Sequence, residues 1–181
     1  INADLIIAGT HGFSGYEEYW IGSNAYRIVT HSLCPVITVR YDFNYQEGIK
    51  KIILPIDSSQ ETKQKLPVAS VIAKQFGAEI HILTLYSTMV KAIQRRVDNH
   101  AKQVMDRLDT EGVKYILTSK TSDNFTQTTL DYAQNINADL IAIMTEQETT
   151  TANIFLGPFA QQLINHSPFP VLSLRFREIN K

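Results

Sequence analysis

Residues 1–43 and 136–178 are one segment written twice, 135 positions apart and without a gap. Ile1-Asn2-Ala3-Asp4-Leu5-Ile6 recurs as Ile136-Asn137-Ala138-Asp139-Leu140-Ile141. The pattern His31-Ser32-x-x-Pro35-Val36-x-x-x-Arg40 recurs as His166-Ser167-x-x-Pro170-Val171-x-x-x-Arg175. Two copies of one supersecondary unit must therefore coexist in this fold, each burying its apolar positions in an equivalent way. Between the anchors the copies diverge. The first reads Gly9-Thr10-His11-Gly12-Phe13-Ser14-Gly15 and then Gly22-Ser23, whereas the second reads Met144-Thr145-Glu146-Gln147-Glu148-Thr149-Thr150 and then Gly157-Pro158.

The glycines of the first copy follow an apolar run, Leu5 to Ala8, and precede a helical pattern carrying Ala25, Ile28 and Val29. Bare backbone can turn tightly and bring N–H groups against an anion with no Cβ in the way. A helix start adds unsatisfied donors and about half a positive charge. Ser23, at that start, can either cap the helix or meet an anion with its hydroxyl. In the second copy Pro158 removes one N–H while suiting the first helical position, so the helix is kept and the donor lost. Met144 and Gln147 put side chains where bare backbone is needed, and Glu146 and Glu148 add negative charge.

The spacing Gly-x2-Gly-x9-Gly-Ser, set by Gly9, Gly12, Gly22 and Ser23, resembles the nucleotide-binding signature of the universal stress proteins. The resemblance extends over essentially the whole chain. It implies an α/β fold, an open parallel five-stranded sheet with helices on both faces, arranged as a tandem pseudo-dimer of the adenine nucleotide α-hydrolase-like kind. It further implies ATP as ligand, with Gly9, Gly12, Gly22 and Ser23 around the triphosphate and His11, Gly15 and Asn24 nearby. In the second copy it leaves a degenerate site of Asp57, Leu85 and Gly157, with Asp57 beside the adenosine moiety and the Leu85 backbone near adenine. Because the first copy lacks a counterpart of Asp57, no nucleotide is expected to remain bound to residues 1–181 alone.

Alternation of strand and helix signals can be followed through one full unit after Gly48. Lys51 to Asp57 reads as a buried strand ending in a carboxylate, Ala78 to Leu85 as a second, Val113 to Thr118 as a third, Asp139 to Met144 as a fourth and Val171 to Arg175 as a fifth. Ser58-x-x-Glu61 has the form of a capping box, so a helix is expected from there, interrupted at Pro67 and continuing through Val68, Val71, Ile72 and Phe76 to Gly77. Further helices are expected over about 90–110, 124–135 and 159–165. The repeat offset places the start of the first copy ahead of Ile1. Residues 1–43 are thus expected to be the end of one domain, 44–49 a linker and 50–178 a complete second domain.

Composition narrows the function classes. Net charge is −1, from 17 Lys and Arg against 18 Asp and Glu, which gives no electrostatic footprint for nucleic acid or anionic lipid. No apolar run reaches the roughly 18 residues of a membrane helix, and the expected location is cytoplasmic. The single Cys34 rules out an intrachain disulfide and a cysteine-cluster metal site. No Gly-x-Ser-x-Gly elbow or Gly-Lys-Ser/Thr loop is present, and His11, His31, His81, His100 and His166 have no metal-ligand spacing. The expectation is a nucleotide-responsive binding module rather than an enzyme, with no catalytic or metal residue; a nucleotide-independent scaffold of the same fold is the competing class. Two structural expectations complete the reading. The resemblance implies that the final strands, Val36 to Arg40 and Val171 to Arg175, pair antiparallel within the chain, and Leu5 to Ala8 should present an apolar edge that another copy can pair with.

Overall fold

A computed structural model describes residues 3–10, 21–40, 42–43, 48–145, 148–149 and 154–175. In chain order its elements are β1 (Ile6–Gly9), α1 (Ser23–His31), β2 (Val36–Val39), β3 (Lys51–Ile56), α2 (Leu66–Phe76), β4 (Glu79–Tyr86), α3 (Lys91–Glu111), β5 (Tyr115–Thr121), α4 (Phe125–Ile136), β6 (Leu140–Met144), β7 (Glu148–Thr149), β8 (Ile154–Phe155), α5 (Pro158–His166) and β9 (Val171–Leu174). Seven strands form one sheet in the order β1-β2-β9-β6-β3-β4-β5, and β7 and β8 form a separate two-stranded ladder.

The second copy and the residues before it supply the five adjacent parallel strands β9, β6, β3, β4 and β5. The first copy adds β1 and β2, parallel to each other, and β2 joins β9 antiparallel with Val36 opposite Ser173, Ile37 opposite Leu172 and Thr38 opposite Val171. The two final strands thus lie side by side in one continuous seven-stranded sheet. Val36, Ile37, Thr38, Val171, Leu172, Ser173 and Leu174 are all buried there.

Alternating side chains divide the core into two layers. Ile52, Leu54, Ile56, Ile80 and Ile82 pack with Leu66, Ile72, Val97, Val104 and Leu108 of α2 and α3. On the opposite face Ile53, Leu83, Leu85, Ile141 and Ile143 pack with Val29, Ala133, Ala160 and Leu163 of α1, α4 and α5. Helices therefore cover both faces.

The region after β3 departs from the expected capping box. Asp57 Oδ1 accepts the Ser59 N–H at 2.9 Å and its hydroxyl at 2.5 Å, a local turn that competes with helix entry at Ser58. Only a 3-10 turn forms at Glu61–Lys63, and the α-helix starts at Leu66 with Pro67 in its first turn, where the missing N–H removes no intrahelical bond. The helical face is also rotated from the expected one: Val71 and Phe76 are exposed, at 57% and 53%, and Leu66, Ala69, Ile72 and Ala73 are the buried set. Gly77 and Gly112 end α2 and α3 with φ of 66° and 68°, left-handed dihedrals that cost glycine little.

Several hydrogen bonds recur in both copies. Ile6 N–H donates to the Pro35 carbonyl at 2.9 Å and Ile141 N–H to that of Pro170 at 3.0 Å. Ser32 Oγ donates to the Cys34 carbonyl and Ser167 Oγ to that of Phe169, each at 2.9 Å. Asp139 explains part of the repeated Asn-Ala-Asp anchor: its Oδ2 accepts the N–H groups of Lys50 and Lys51, both at 2.8 Å, and so sets the start of β3 beside β6.

Candidate functional site

The glycine loop leaves β1 at Gly9 and returns to α1 at Gly22, and its two feet are tied together. Thr10 N–H donates to the Val39 carbonyl at 2.9 Å, and the Thr10 carbonyl accepts the Gly22 N–H at 2.7 Å. A Cβ at Gly22 would stand 3.2 Å from that same carbonyl oxygen. Glycine here serves close approach of two backbone segments; its φ of −58° is open to any residue.

Gly22 is also the N-cap of α1, with no side chain to accept the first helical amides. The first intrahelical bond runs from Tyr26 N–H to the Gly22 carbonyl at 2.9 Å. The N–H groups of Ser23, Asn24 and Ala25 consequently have no acceptor among the described residues. Ser23 and Asn24 are exposed, and Ser23 is the first helical residue and not the cap. Three donors, on exposed Ser23 and Asn24 and on buried Ala25, and the positive end of a nine-residue helix thus gather beside the C-terminal end of β1. His11, Gly12 and Gly15 lie outside the described residues.

The second copy keeps the frame and loses one of the three donors, that of the first helical residue. Thr145 N–H donates to the Leu174 carbonyl at 2.9 Å, and the Thr145 carbonyl accepts the Gly157 N–H at 3.0 Å. Gly157 is again an N-cap without a side-chain acceptor, but Pro158 follows it and has no N–H to offer. The intervening chain forms the ladder β7–β8, with Glu148 opposite Phe155 and Thr149 opposite Ile154. Met144 behaves differently from the sequence expectation. It is 5% exposed and belongs to the core layer with Leu172 and Leu174, so its side chain fills the interior and does not stand over the anion position.

Asp57 and Leu85 end β3 and β4. Besides the two bonds from Ser59, Asp57 donates its own N–H to Thr62 Oγ1 at 3.2 Å, and its carbonyl lies 3.1 Å from His100 Nδ1. Leu85 is buried, so only its backbone can border a ligand. These residues are not brought to the glycine loop. Because β2 and β9 are antiparallel, the C-terminal ends of β1 and of β3 and β4 point to opposite ends of the sheet. Four strand steps, on the order of 19 Å, also separate β1 from β3. Each copy therefore presents one part of the implied nucleotide site at its own end.

His31 and His81 have structural surroundings. His31 Nδ1 is 3.1 Å from the Arg27 carbonyl in the last turn of α1. His81, buried under α4, has Nδ1 3.0 Å from Tyr132 Oη and Nε2 3.0 Å from a Glu79 oxygen; burial first lowers its pKa, against the pull of Glu79. Among the described residues no group of three or more His, Cys, Asp or Glu could hold a metal, and no helix is long and apolar enough to cross a membrane.

One residue of the site carried no sequence signal. The Ile21 N–H, one position before the helix cap, donates to Asn165 Oδ1 at 3.0 Å. Asn165 stands near the end of α5 and is 5% exposed, and the sequon Asn165-His166-Ser167 is thereby closed to glycosylation. The bond joins residues 144 positions apart, which no local pattern announces.

Known proteins resemble this chain along nearly its whole length. A universal stress protein of Mycobacterium tuberculosis is 22% identical over 190 residues, covering 96% of this chain and 65% of the relative. The crystal structure of a universal stress protein from Archaeoglobus fulgidus superposes with a TM-score of 0.75 at 21% identity, over 96% of this chain and 63% of that one. The chain thus spans a little under two-thirds of these two relatives. A solved universal stress protein in complex with cAMP superposes with a TM-score of 0.59 at 18% identity, over 71% of this chain and 98% of that one. The universal stress protein sequence pattern itself matches residues 1–40 and 48–175. On that match the chain belongs to the universal stress protein family.

Proposed function

We propose that the chain is an ATP-responsive binding module in which the first copy holds the phosphates and the second copy has lost that ability. The observation that carries the reading is the trio of N–H groups without acceptors among the described residues, on Ser23, Asn24 and Ala25 beneath a glycine N-cap, where no side chain of the helix start supplies an acceptor. A serine or aspartate at the cap would satisfy such donors internally; Gly22 leaves them to an external anion. The sequence spacing adds Gly9 and Gly12 to this cradle, with His11 and Gly15 in the same loop. The cAMP-bound relative supports an adenine nucleotide in preference to free phosphate. A cytoplasmic ATP pool is the ligand source this reading requires.

The module acts by occupancy and not by turnover. Asp57 already accepts two bonds from Ser59, and it belongs to the opposite end of the sheet from the glycine loop. Residues 1–43 are read as the end of a first domain and 50–178 as a complete second one, and neither Asp57 nor Leu85 of the second reaches the glycine loop of the first. Calorimetric titration of the protein with ATP and with tripolyphosphate tests the reading. Binding that disappears in Gly12→Gln and Ser23→Pro supports it; ATP binding unchanged by both substitutions overturns the assignment. Phosphate release above the uncatalysed rate would overturn the non-enzymatic part.

A further inference from the structure

We propose that Asn165 is a positioning residue for the phosphate loop, a clamp by which the degenerate second copy holds the functional loop of the first. The inference rests on the ATP reading for its consequence, while the clamp itself rests on geometry. Ile21 and Gly22 are the last two residues before the donors of α1, and both have their N–H groups fixed: Gly22 to the Thr10 carbonyl at 2.7 Å and Ile21 to Asn165 Oδ1 at 3.0 Å. Two consecutive peptide planes are thereby oriented at the helix entry, which sets where the Ser23 and Asn24 donors point. The first tie is internal to the first copy. The second comes from a buried amide on α5, whose last turn ends beside the β2–β9 junction.

The contact is built differently at the pseudo-equivalent place. By the repeat offset, Asn165 corresponds to Thr30 and Ile21 to Leu156. Thr30 is also buried, but its hydroxyl proton has an acceptor within its own helix, the Tyr26 carbonyl at 2.8 Å. A threonine hydroxyl in a helix turns back in this way as a rule. An asparagine carries an acceptor one bond further out, long enough to cross to the neighbouring copy. The copy that retains the glycines is therefore the one whose loop entry receives the asparagine.

The test uses the whole chain, with inorganic phosphate and inorganic tripolyphosphate as probes. In Asn165→Leu the Ile21 amide loses its buried acceptor, so its hydrogen exchange should accelerate about tenfold or more relative to amides of β6, and affinity for either probe should fall by about tenfold, the size of one lost hydrogen bond. Asn165→Thr, the residue the first copy tolerates at this helix position, gives the same readouts if the leucine variant fails to fold. A residue with a merely structural role would lower Tm while leaving Ile21 exchange and probe affinity unmoved, and that result overturns the proposal. If the parent chain binds neither probe, the phosphate reading of the first copy falls; the Ile21 exchange difference still decides for or against the clamp.

Discussion

The Thr38 hydroxyl donates to the Val171 carbonyl, 3.3 Å away, across the line where β2 meets β9 antiparallel. This is the seam between the two copies, and both residues are buried. Leu172 at the seam packs in the core layer with Ile37 and Ile52. Leu172→Ala should cost about 2–5 kcal/mol, whereas Thr38→Val, which loses one hydroxyl bond but keeps the shape, should cost about 1 kcal/mol. Urea denaturation of the two variants checks the ordering.

At Gly22 stability and ligand binding should be separable. Gly22→Asp would place an acceptor over the free amides of α1 and a negative charge at its positive end, worth a few tenths of a kcal/mol over glycine as a cap. The new Cβ must push the Thr10 carbonyl back from 3.2 Å. The expected outcome is a Tm near that of the parent, with phosphate binding lost. Thermal denaturation with and without tripolyphosphate would show it.

Glu111 ends α3 in a cluster of donors. Ser70 Oγ donates to its Oε2, Lys74 Nζ lies 2.9 Å from the same oxygen and Arg107 Nε 2.7 Å from Oε1. These bonds, that of Ser70 first, lower its pKa from 4.5 to about 2. A depressed carboxylate pKa means stability that is present above pH 4.5 and lost as pH falls through about 2. The stability gap between the parent and Glu111→Gln should be constant above that range and shrink within it, as denaturation at stepped pH would measure.

Rebuilding the second anion site is expected to be uneven. Pro158→Ser restores an N–H at a position helices readily give to serine, and should change stability by no more than about 1 kcal/mol. Met144→Gly instead empties a filled core position and should cost about 3 kcal/mol or more. Of the pair, only the Pro158→Ser protein should stay folded well enough for a phosphate titration.

β1 is paired only with β2 among the described strands, and Ile7 is 70% exposed on it. An open edge with an apolar face invites pairing between chains. Ile7→Lys should lower the mean mass seen by light scattering at high protein concentration. A parent chain that is strictly monomeric at the same concentration would remove the reason for the substitution.

Where a residue's fate was decided nearby in sequence, the pattern was readable. Gly77 and Gly112 end helices as their spacing indicated, and Asn124 caps α4 by accepting the Gln127 N–H at 3.0 Å. The repeat identified the two equivalent final strands, and the family resemblance implied the antiparallel seam that β2 and β9 form. The capping box at Ser58 misled because Asp57, one residue earlier, competed for the same backbone donors. Val71 and Phe76 misled because apolar spacing in α2 fits two faces, and only the packing of α3 and β3 chooses between them. Met144 was assigned to the loop by alignment with Gly9, although its direction is set by strand alternation in β6. The Asn165 bond was beyond reach of any local pattern, since it depends on the seam being formed first.

The antiparallel seam also bears on how such a chain can change over generations. Because the two copies open at opposite ends of one sheet, substitutions that spoil the loop of one do not crowd the loop of the other. The second copy carries Met144 at the end of β6, packed in the core, and Pro158 at the start of α5, where the first copy has Gly9 and Ser23. Its remaining obligation to the first is the shared seam and the buried asparagine beside it. Drift in this family should therefore erase one half's ligand chemistry long before it loosens the strands that join the halves.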